Sequence, residues 1–388
     1  NTDMYAQAYF DYDSKKSGGV TMSHLRFGHK KIKSTYLIKR ANFVACHNPA
    51  YIRKYNMVQE LVDGGTFLLN CPWDMEGLEK HLPGQVKKYI ADHNINFYVI
   101  DGVKIGIETG MGSTRINTIL QSAFFKLANI IPEEHAIELM KEAAKKTYGR
   151  KGEDVVKKNW AAIEEGAKQV VKVEVPESWK NCEDEGLEMA HATEGRQDVV
   201  DFVNNIQSKV NAQEGYSLPV SAFKDYVDGS TPSGSAAYEK RGIAVNVPVW
   251  NSDNCIQCNF CSYVCPHAVI RPVVMNEEEA AAAPAEMKKI PMTGMPGYYF
   301  SMTVSALDCT GCGSCVNVCP GKKGEKALSM DGLEKNLGEQ PIFEFGQKLS
   351  EKPEVLAKFK ENTVKGSQFK QPLLEYSGAC AGCGETPY

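Results

Sequence analysis

No stretch of this 388-residue chain stays apolar for the length that a membrane crossing demands. Its first residues also lack the basic, apolar and small-residue order of a secretory signal. Basic excess is missing as well: 44 Lys and Arg face 48 Asp and Glu, a net charge of -4, which leaves no electrostatic footprint for nucleic acid. What the chain does have is cysteine, 13 of them. Most stand in metal-type spacings, which implies a reducing, cytoplasmic setting rather than a secreted disulfide framework. The length accommodates two or three domains with real cores.

The same cysteine word occurs twice. Cys255-Ile-Gln-Cys258-Asn-Phe-Cys261-Ser-Tyr-Val-Cys265-Pro266 and Cys309-Thr-Gly-Cys312-Gly-Ser-Cys315-Val-Asn-Val-Cys319-Pro320 both read C-x2-C-x2-C-x3-C-P. That is the spacing of two-cluster ferredoxins, in which three closely spaced thiolates wrap one cubane and the fourth, before proline, ligates the other. One [4Fe-4S] cluster is therefore expected on Cys255, Cys258, Cys261 and Cys319, and a second on Cys309, Cys312, Cys315 and Cys265. Zinc takes four ligands, usually from paired C-x2-C knuckles, and fits eight interleaved cysteines poorly. Four thiolates around an oxidised cubane leave negative charge, so backbone N–H···S bonds must stabilise the reduced form. Gly311 and Gly313 let N–H groups approach closely, whereas Ile256, Gln257, Asn259 and Phe260 are bulkier and should shield more, so the two potentials are expected to differ.

Along the chain, residues 6–27 read as a β-hairpin turning at Lys16-Ser-Gly-Gly19. Strands follow at 41–45, 66–70 and 95–100. Between them the pattern predicts a helix over 51–62 closed by Gly64-Gly65, and a helical stretch over 76–92 broken at Pro83-Gly84. Alternating strands and helices imply parallel pairing. Helices are then expected at 114–129, 133–147 and 153–170, so residues 1–175 form an α/β domain. Residues 176–250 read as a linker and a small irregular domain with a helix near 198–210. Residues 251–330 hold the cysteine repeat, an α+β ferredoxin-like domain carrying an insertion from Ala280 to Gly297. Residues 331–376 are charged, helix-prone and read as a wrapping linker.

Other motifs have bland readings beside them. Gly110-Met-Gly-Ser-Thr-Arg115 could cradle a phosphate, but packing explains its glycines better. Cys46 and Cys71 follow strands where α/β ligand sites gather, yet a lone cysteine is more often a buried small hydrophobe. His24 and Arg26 share one face of a strand, for which a solvated face is the simpler explanation. Cys182 has no partner spacing. Cys380-Ala-Gly-Cys383 is a metal-type knuckle two ligands short of a site; a redox dithiol would want a thioredoxin-like frame around it. The chain opens on Asn1 and stops just after this knuckle, and is read as the middle of a longer polypeptide.

Together these stretches resemble the single-chain pyruvate:ferredoxin (or flavodoxin) oxidoreductases. The likeness runs through Ser17-Gly-Gly-Val-Thr, Ser23-His-Leu-Arg-Phe-Gly28, Phe43-Val-Ala-Cys-His-Asn-Pro49 and Gly112-Ser-Thr-Arg-Ile-Asn117 of a γ-type domain. It continues through Tyr238-Glu-Lys-Arg-Gly242 of an EKR-type small domain, and through Ser377-Gly-Ala-Cys-Ala-Gly-Cys-Gly-Glu-Thr-Pro387 at the start of a thiamine-diphosphate domain within 331–388. The resemblance implies an enzyme using thiamine diphosphate and Mg that converts pyruvate and coenzyme A to acetyl-CoA and CO2. Electrons would leave through [4Fe-4S] clusters to ferredoxin or flavodoxin. It further implies that Cys380 and Cys383 ligate a third cluster shared with sequence beyond this chain, that the enzyme is a homodimer, and that no catalytic residue lies here. Two other readings stay open: another iron–sulfur oxidoreductase subunit, and a non-enzymatic zinc-binding interaction protein.

Overall fold

The structure, a computed structural model, describes residues 3–12 and 19–370. They are mixed α/β and divide into two compact units, one built on Met22–Met189 and the other on the residues from Ala190 onward.

In the first unit, β1 (Tyr5–Tyr12) and β2 (Thr21–Gly28) form a two-stranded sheet, as expected; most of the turn between them lies outside the described residues. A four-stranded sheet follows, ordered β3 (Ala41–Cys46), β4 (Leu61–Asn70), β5 (Asn96–Ile100), β6 (Val171–Lys172). The first three strands run parallel and the short β6 closes the edge antiparallel. Both faces are covered. Phe67 and Leu69 enter one core with Phe97, Ile90 and Trp179, while Leu68 between them enters another with Ile100, Ile119 and Ala162. Alternation along a strand buried on both sides produces the continuous apolar run at 66–70.

The helices of this unit are α1 (Met75–His81), α2 (Gly84–Asp92), α3 (Gly102–Glu108), α4 (Asn117–Ala128), α5 (Glu133–Tyr148) and α6 (Glu153–Lys168). The break between α1 and α2 falls at Pro83, as the sequence implies. Gly84 is required there, because a Cβ would lie 1.9 Å from the carbonyl oxygen of Glu183. The helix expected over 51–62 does not form. Asn48 caps a single 3-10 turn, Pro49–Tyr51, and β4 already begins at Leu61. Ile52 and Val58 are both buried in the same core, a spacing that an open chain satisfies and one helix face does not. Gly64 and Gly65, read as the end of that helix, lie within β4, with Gly64 at φ +73° beside a register shift in the β3–β4 pairing.

In the second unit, α7 (Gln197–Phe202), a π turn at Val203–Gln207 and α8 (Ser208–Asn211) occupy the stretch where one helix is expected. After β7 (Asn246–Trp250) come α9 (Phe260–Tyr263), β8 (Ile270–Met275), α10 (Glu277–Ala282) and β9 (Ile290–Pro291). Next are β10 (Tyr299–Val304), α11 (Ser314–Val318), β11 (Leu328–Gly332), α12 (Glu339–Gln347), α13 (Pro353–Lys358) and α14 (Val364–Phe369). The cysteine words sit in two equivalent frames, β7–loop–α9–β8 and β10–loop–α11–β11. The sheets pair across the frames, β7 with β11 and β8 with β10, both antiparallel. Among the described residues, no helix is long and apolar enough to cross a membrane.

Candidate metal centres

Cross-frame pairing decides where each fourth cysteine goes. Cys265 leads into β8, whose Ile270 stands opposite Val304 at the end of β10, and β10 feeds the Cys309 loop. Cys319 leads into β11, whose Leu328 stands opposite Trp250 at the end of β7, and β7 feeds the Cys255 loop. One cavity of about 330 Å³, mouth included, is accordingly lined by Cys255, Cys258, Cys261 and Cys319. The second, of about 340 Å³, is lined by Cys265, Cys309, Cys312 and Cys315. In each, three thiols come from one word and the fourth from the other. Among the described residues, no three His, Cys, Asp or Glu side chains converge on a single ion position; the thiols ring a space instead.

The two loops share one backbone path. Gln257 and Asn259 have φ of +56° and +64°, and Gly311 and Gly313 have +72° and +74°. This left-handed path turns N–H groups inward, and the Gln257 N–H donates to Cys255 Sγ (3.4 Å) just as the Gly311 N–H donates to Cys309 Sγ (3.3 Å). A third such bond runs from the Ala327 N–H to Cys319 Sγ (3.3 Å). The bulkier first loop thus makes the contact for which glycine seemed necessary. Its side chains hold the strained residues in place. Gln257 donates to the Pro291 carbonyl and accepts from the Thr293 N–H, both in the inserted segment, and Asn259 donates to the Lys365 carbonyl on α14. The insertion and α14 therefore brace the first loop.

The surroundings suit a polynuclear anionic group. Burial, then the neighbouring thiols, push Cys261 upward, and burial drives Cys309 and Cys315 to about 12. Cys255 and Cys265 also rise, again mainly through burial. Such thiols ionise only when a metal supplies compensating charge. Trp250 lines the first cavity, and its indole N–H is a buried donor that sits beside Cys255 without a formed hydrogen bond. An orphaned donor costs free energy unless an acceptor occupies the space it faces. Sulfur at this position would satisfy it, so the residues fit the group that the spacing implies. Spacing alone could not reveal Trp250, since only the β7–β11 pairing brings it to the cavity.

The remaining sequence candidates are placed as follows. Cys46 and Cys71 are buried in one core, and burial pushes both thiols up to about 12, which makes them inert packing groups. His24 and Arg26 are not on a solvated face: Arg26 donates to the Tyr36 carbonyl (2.6 Å) and lies over its ring, and His24 Nδ1 accepts from the Ile38 N–H. In Gly110–Arg115 the glycines serve the backbone path rather than close packing: Gly110 and Gly112 have φ of +75° and +86°, and a Cβ on Gly112 would meet nothing within 4 Å. Cys182 is partly buried and makes no disulfide. Cys380 and Cys383 lie outside the described residues.

A duplicated frame with two thiol-lined cavities is the build of a two-cluster iron–sulfur protein, and residues 254–323 match the family model described as a 4Fe-4S dicluster domain. Residues 1–169 match the model described as pyruvate ferredoxin/flavodoxin oxidoreductase, and residues 189–244 match one described as a domain of unknown function. The chain is thus similar along its whole length to a segment of pyruvate-flavodoxin and pyruvate:ferredoxin oxidoreductases. It is 51% identical to a pyruvate-flavodoxin oxidoreductase of Enterobacter agglomerans and 49% identical to a pyruvate:ferredoxin oxidoreductase of Moorella thermoacetica. Each match covers 100% of this chain and 32% of the relative, so the chain spans about a third of the length of these curated relatives. A pyruvate dehydrogenase [NADP(+)] of Cryptosporidium parvum is 44% identical, over 100% of this chain and 21% of its own length. Among solved structures, a pyruvate oxidoreductase subunit from Thermotoga maritima aligns at 20% identity and a TM-score of 0.34, over 44% of this chain and 83% of that one.

Proposed function

We propose that this chain is the electron-wiring segment of an enzyme that oxidatively decarboxylates pyruvate with coenzyme A to acetyl-CoA and CO2, delivering electrons to ferredoxin or flavodoxin. In this reading a γ-type α/β domain (1–175) and a small irregular EKR-type domain (176–250) precede a ferredoxin-like α+β domain (251–330). The segment 331–388 leads into the domain that binds thiamine diphosphate and Mg. The intact enzyme is a cytoplasmic homodimer, and Cys380 and Cys383 supply half the ligands of a third cluster. The single observation that carries the reading is the pair of cavities, each ringed by three thiols of one word and the fourth of the other.

Bound there, [4Fe-4S] clusters supply one-electron transfer. The chain's own part is to set the conditions. The eight cysteines give up their protons on assembly, against the burial that keeps several of them protonated. The N–H groups of Gln257, Gly311 and Ala327 aim positive dipoles at sulfur and favour the more negative, reduced state. Met302, Leu328, Val269 and Ile270 exclude water from the cavity walls. Cys261 and Cys315 stand on the packed helices α9 and α11 within one apolar cluster, which puts a short, dry protein path between the two sites.

Anaerobic purification tests this. The chain should carry about eight irons with matching sulfide and show no pyruvate decarboxylation by itself. Stoichiometric zinc without iron or sulfide would refute the reading.

A further inference from the structure

The stretch whose family model is described as a domain of unknown function ends against the second cavity. Lys240 lies in the left-handed region, at φ +40°. A long side chain is held there at a free-energy cost that surrounding contacts must offset. Its Nζ lies 2.6 Å from Asp308 Oδ2, and the side chains of the pair are only 27% and 6% exposed. Asp308 immediately precedes Cys309. Its carboxylate also accepts from the Ser305 hydroxyl (2.5 Å), and the Leu307 N–H donates to Gln340 Oε1 (3.2 Å). Two residues past Lys240, the Gly242 N–H donates to the Leu307 carbonyl (2.7 Å). Ala244 packs in one cluster with Cys309, and Gly311 approaches Asn246 so closely that a Cβ would lie 3.0 Å from its carbonyl oxygen. Residues 240–246 thus run along the first part of the second loop, from Leu307 to Gly311.

Electrostatics gives this contact a purpose. A cavity of four thiolates is already anionic, and reduction adds another negative charge. A buried carboxylate one residue from a ligand opposes that step unless a cation neutralises it. The matching position in the first loop, Asn254 before Cys255, carries no charge, so the second site has a requirement that the first lacks.

We propose that Lys240 is a positioning and charge-compensating residue for the metal site of Cys265, Cys309, Cys312 and Cys315, holding its potential up by neutralising Asp308. The assignment rests on the cluster reading above. The test is a redox titration, followed by electron paramagnetic resonance, of the intact enzyme that contains this chain. The transition belonging to the second site is identified as the one that Cys312→Ala removes. Lys240→Gln should move that transition to more negative potential and leave the other in place. Asp308→Asn should move it the opposite way, Lys240→Gln with Asp308→Asn should return it close to the parent value, and Lys240→Arg should leave it there. An unshifted Lys240→Gln transition, or a double variant no closer to the parent than Lys240→Gln, overturns the proposal. If Lys240→Gln fails to keep the site's iron, retention by both Lys240→Arg and the double variant supports it, and loss in either overturns it. Parent enzyme without iron would instead remove the cluster reading itself.

Discussion

Crossed ligation can be tested by counting. Cys265 belongs to the first word in sequence, but it lines the cavity of Cys309, Cys312 and Cys315 because β8 pairs with β10. Replacing it with alanine removes one of four ligands from that cavity and none from the cavity of Cys255, Cys258, Cys261 and Cys319. The intact enzyme should then lose up to about four irons per chain while the other ferredoxin-type cluster keeps its spectrum. Pairwise combinations sharpen the result, because changes within one site overlap whereas changes in different sites add. Cys265→Ala with Cys312→Ala should cost no more iron than Cys312→Ala alone. Cys265→Ala with Cys258→Ala should empty both sites, a loss of about eight irons. Iron and sulfide analysis with resonance spectra of the reduced protein reads the three single and two double variants. If Cys265→Ala with Cys258→Ala loses no more iron than Cys258→Ala alone, ligation is local and the strand-pairing argument is wrong.

Three further outcomes follow from named contacts. Trp250→Phe removes the orphaned donor beside Cys255 and should move only the first site's midpoint to more negative potential in a redox titration; an unmoved midpoint rejects the donor's role. Gly166→Ala puts a Cβ 2.5 Å from the Ile119 carbonyl oxygen where α6 crosses α4. The overpacking cost of roughly 1–3 kcal/mol should outweigh the gain of about 1 kcal/mol in helix propensity, so thermal unfolding should show net destabilisation. The Trp179 indole, and then Lys87, hold Glu79 below the usual carboxylate range. A folded-state pKa below the unfolded value of about 4.3 means that this stability is complete at neutral pH and is lost as pH falls through the folded value. Glu79→Gln should flatten the acid limb of a stability–pH curve measured between pH 6 and 3.

The sequence was most readable where chemistry constrains it most. Eight thiolates around two polynuclear groups demand fixed spacings, so the cysteine words announce themselves before any fold is known. Strands buried on both faces, such as β4 and β5, were equally plain, and Pro83 marked the break between α1 and α2. Residues 51–60 misled because their apolar residues mimic a helical period, while Asn48 and Pro49 set a single turn that long-range burial of Ile52 and Val58 then leaves open. His24 and Arg26 looked solvated because their partners, Ile38 and the Tyr36 carbonyl, are backbone groups on an irregular segment that leaves no pattern in the sequence.

The contrast between the two cysteine loops shows why composition misjudged them. Glycine at 311 and 313 reaches the left-handed region without strain, so these two positions need no side-chain bonds of their own to hold them there, and Cys312 lies exposed at the loop's tip. Gln257 and Asn259 reach the same region at a cost, and both are almost fully buried, at 3% and 1% exposure. Their amides offset that cost through bonds to Pro291, Thr293 and Lys365. The first loop's geometry is therefore written partly in the insertion and partly in α14, segments that looked like decoration on a minimal ferredoxin repeat. Its rigidity depends on contacts from more than one hundred residues away in sequence, as in the Asn259–Lys365 bond. The second loop instead takes its support from the residues just before the repeat, through Gly242, Ala244 and Asn246. Two copies of one motif are thus held by different parts of the chain.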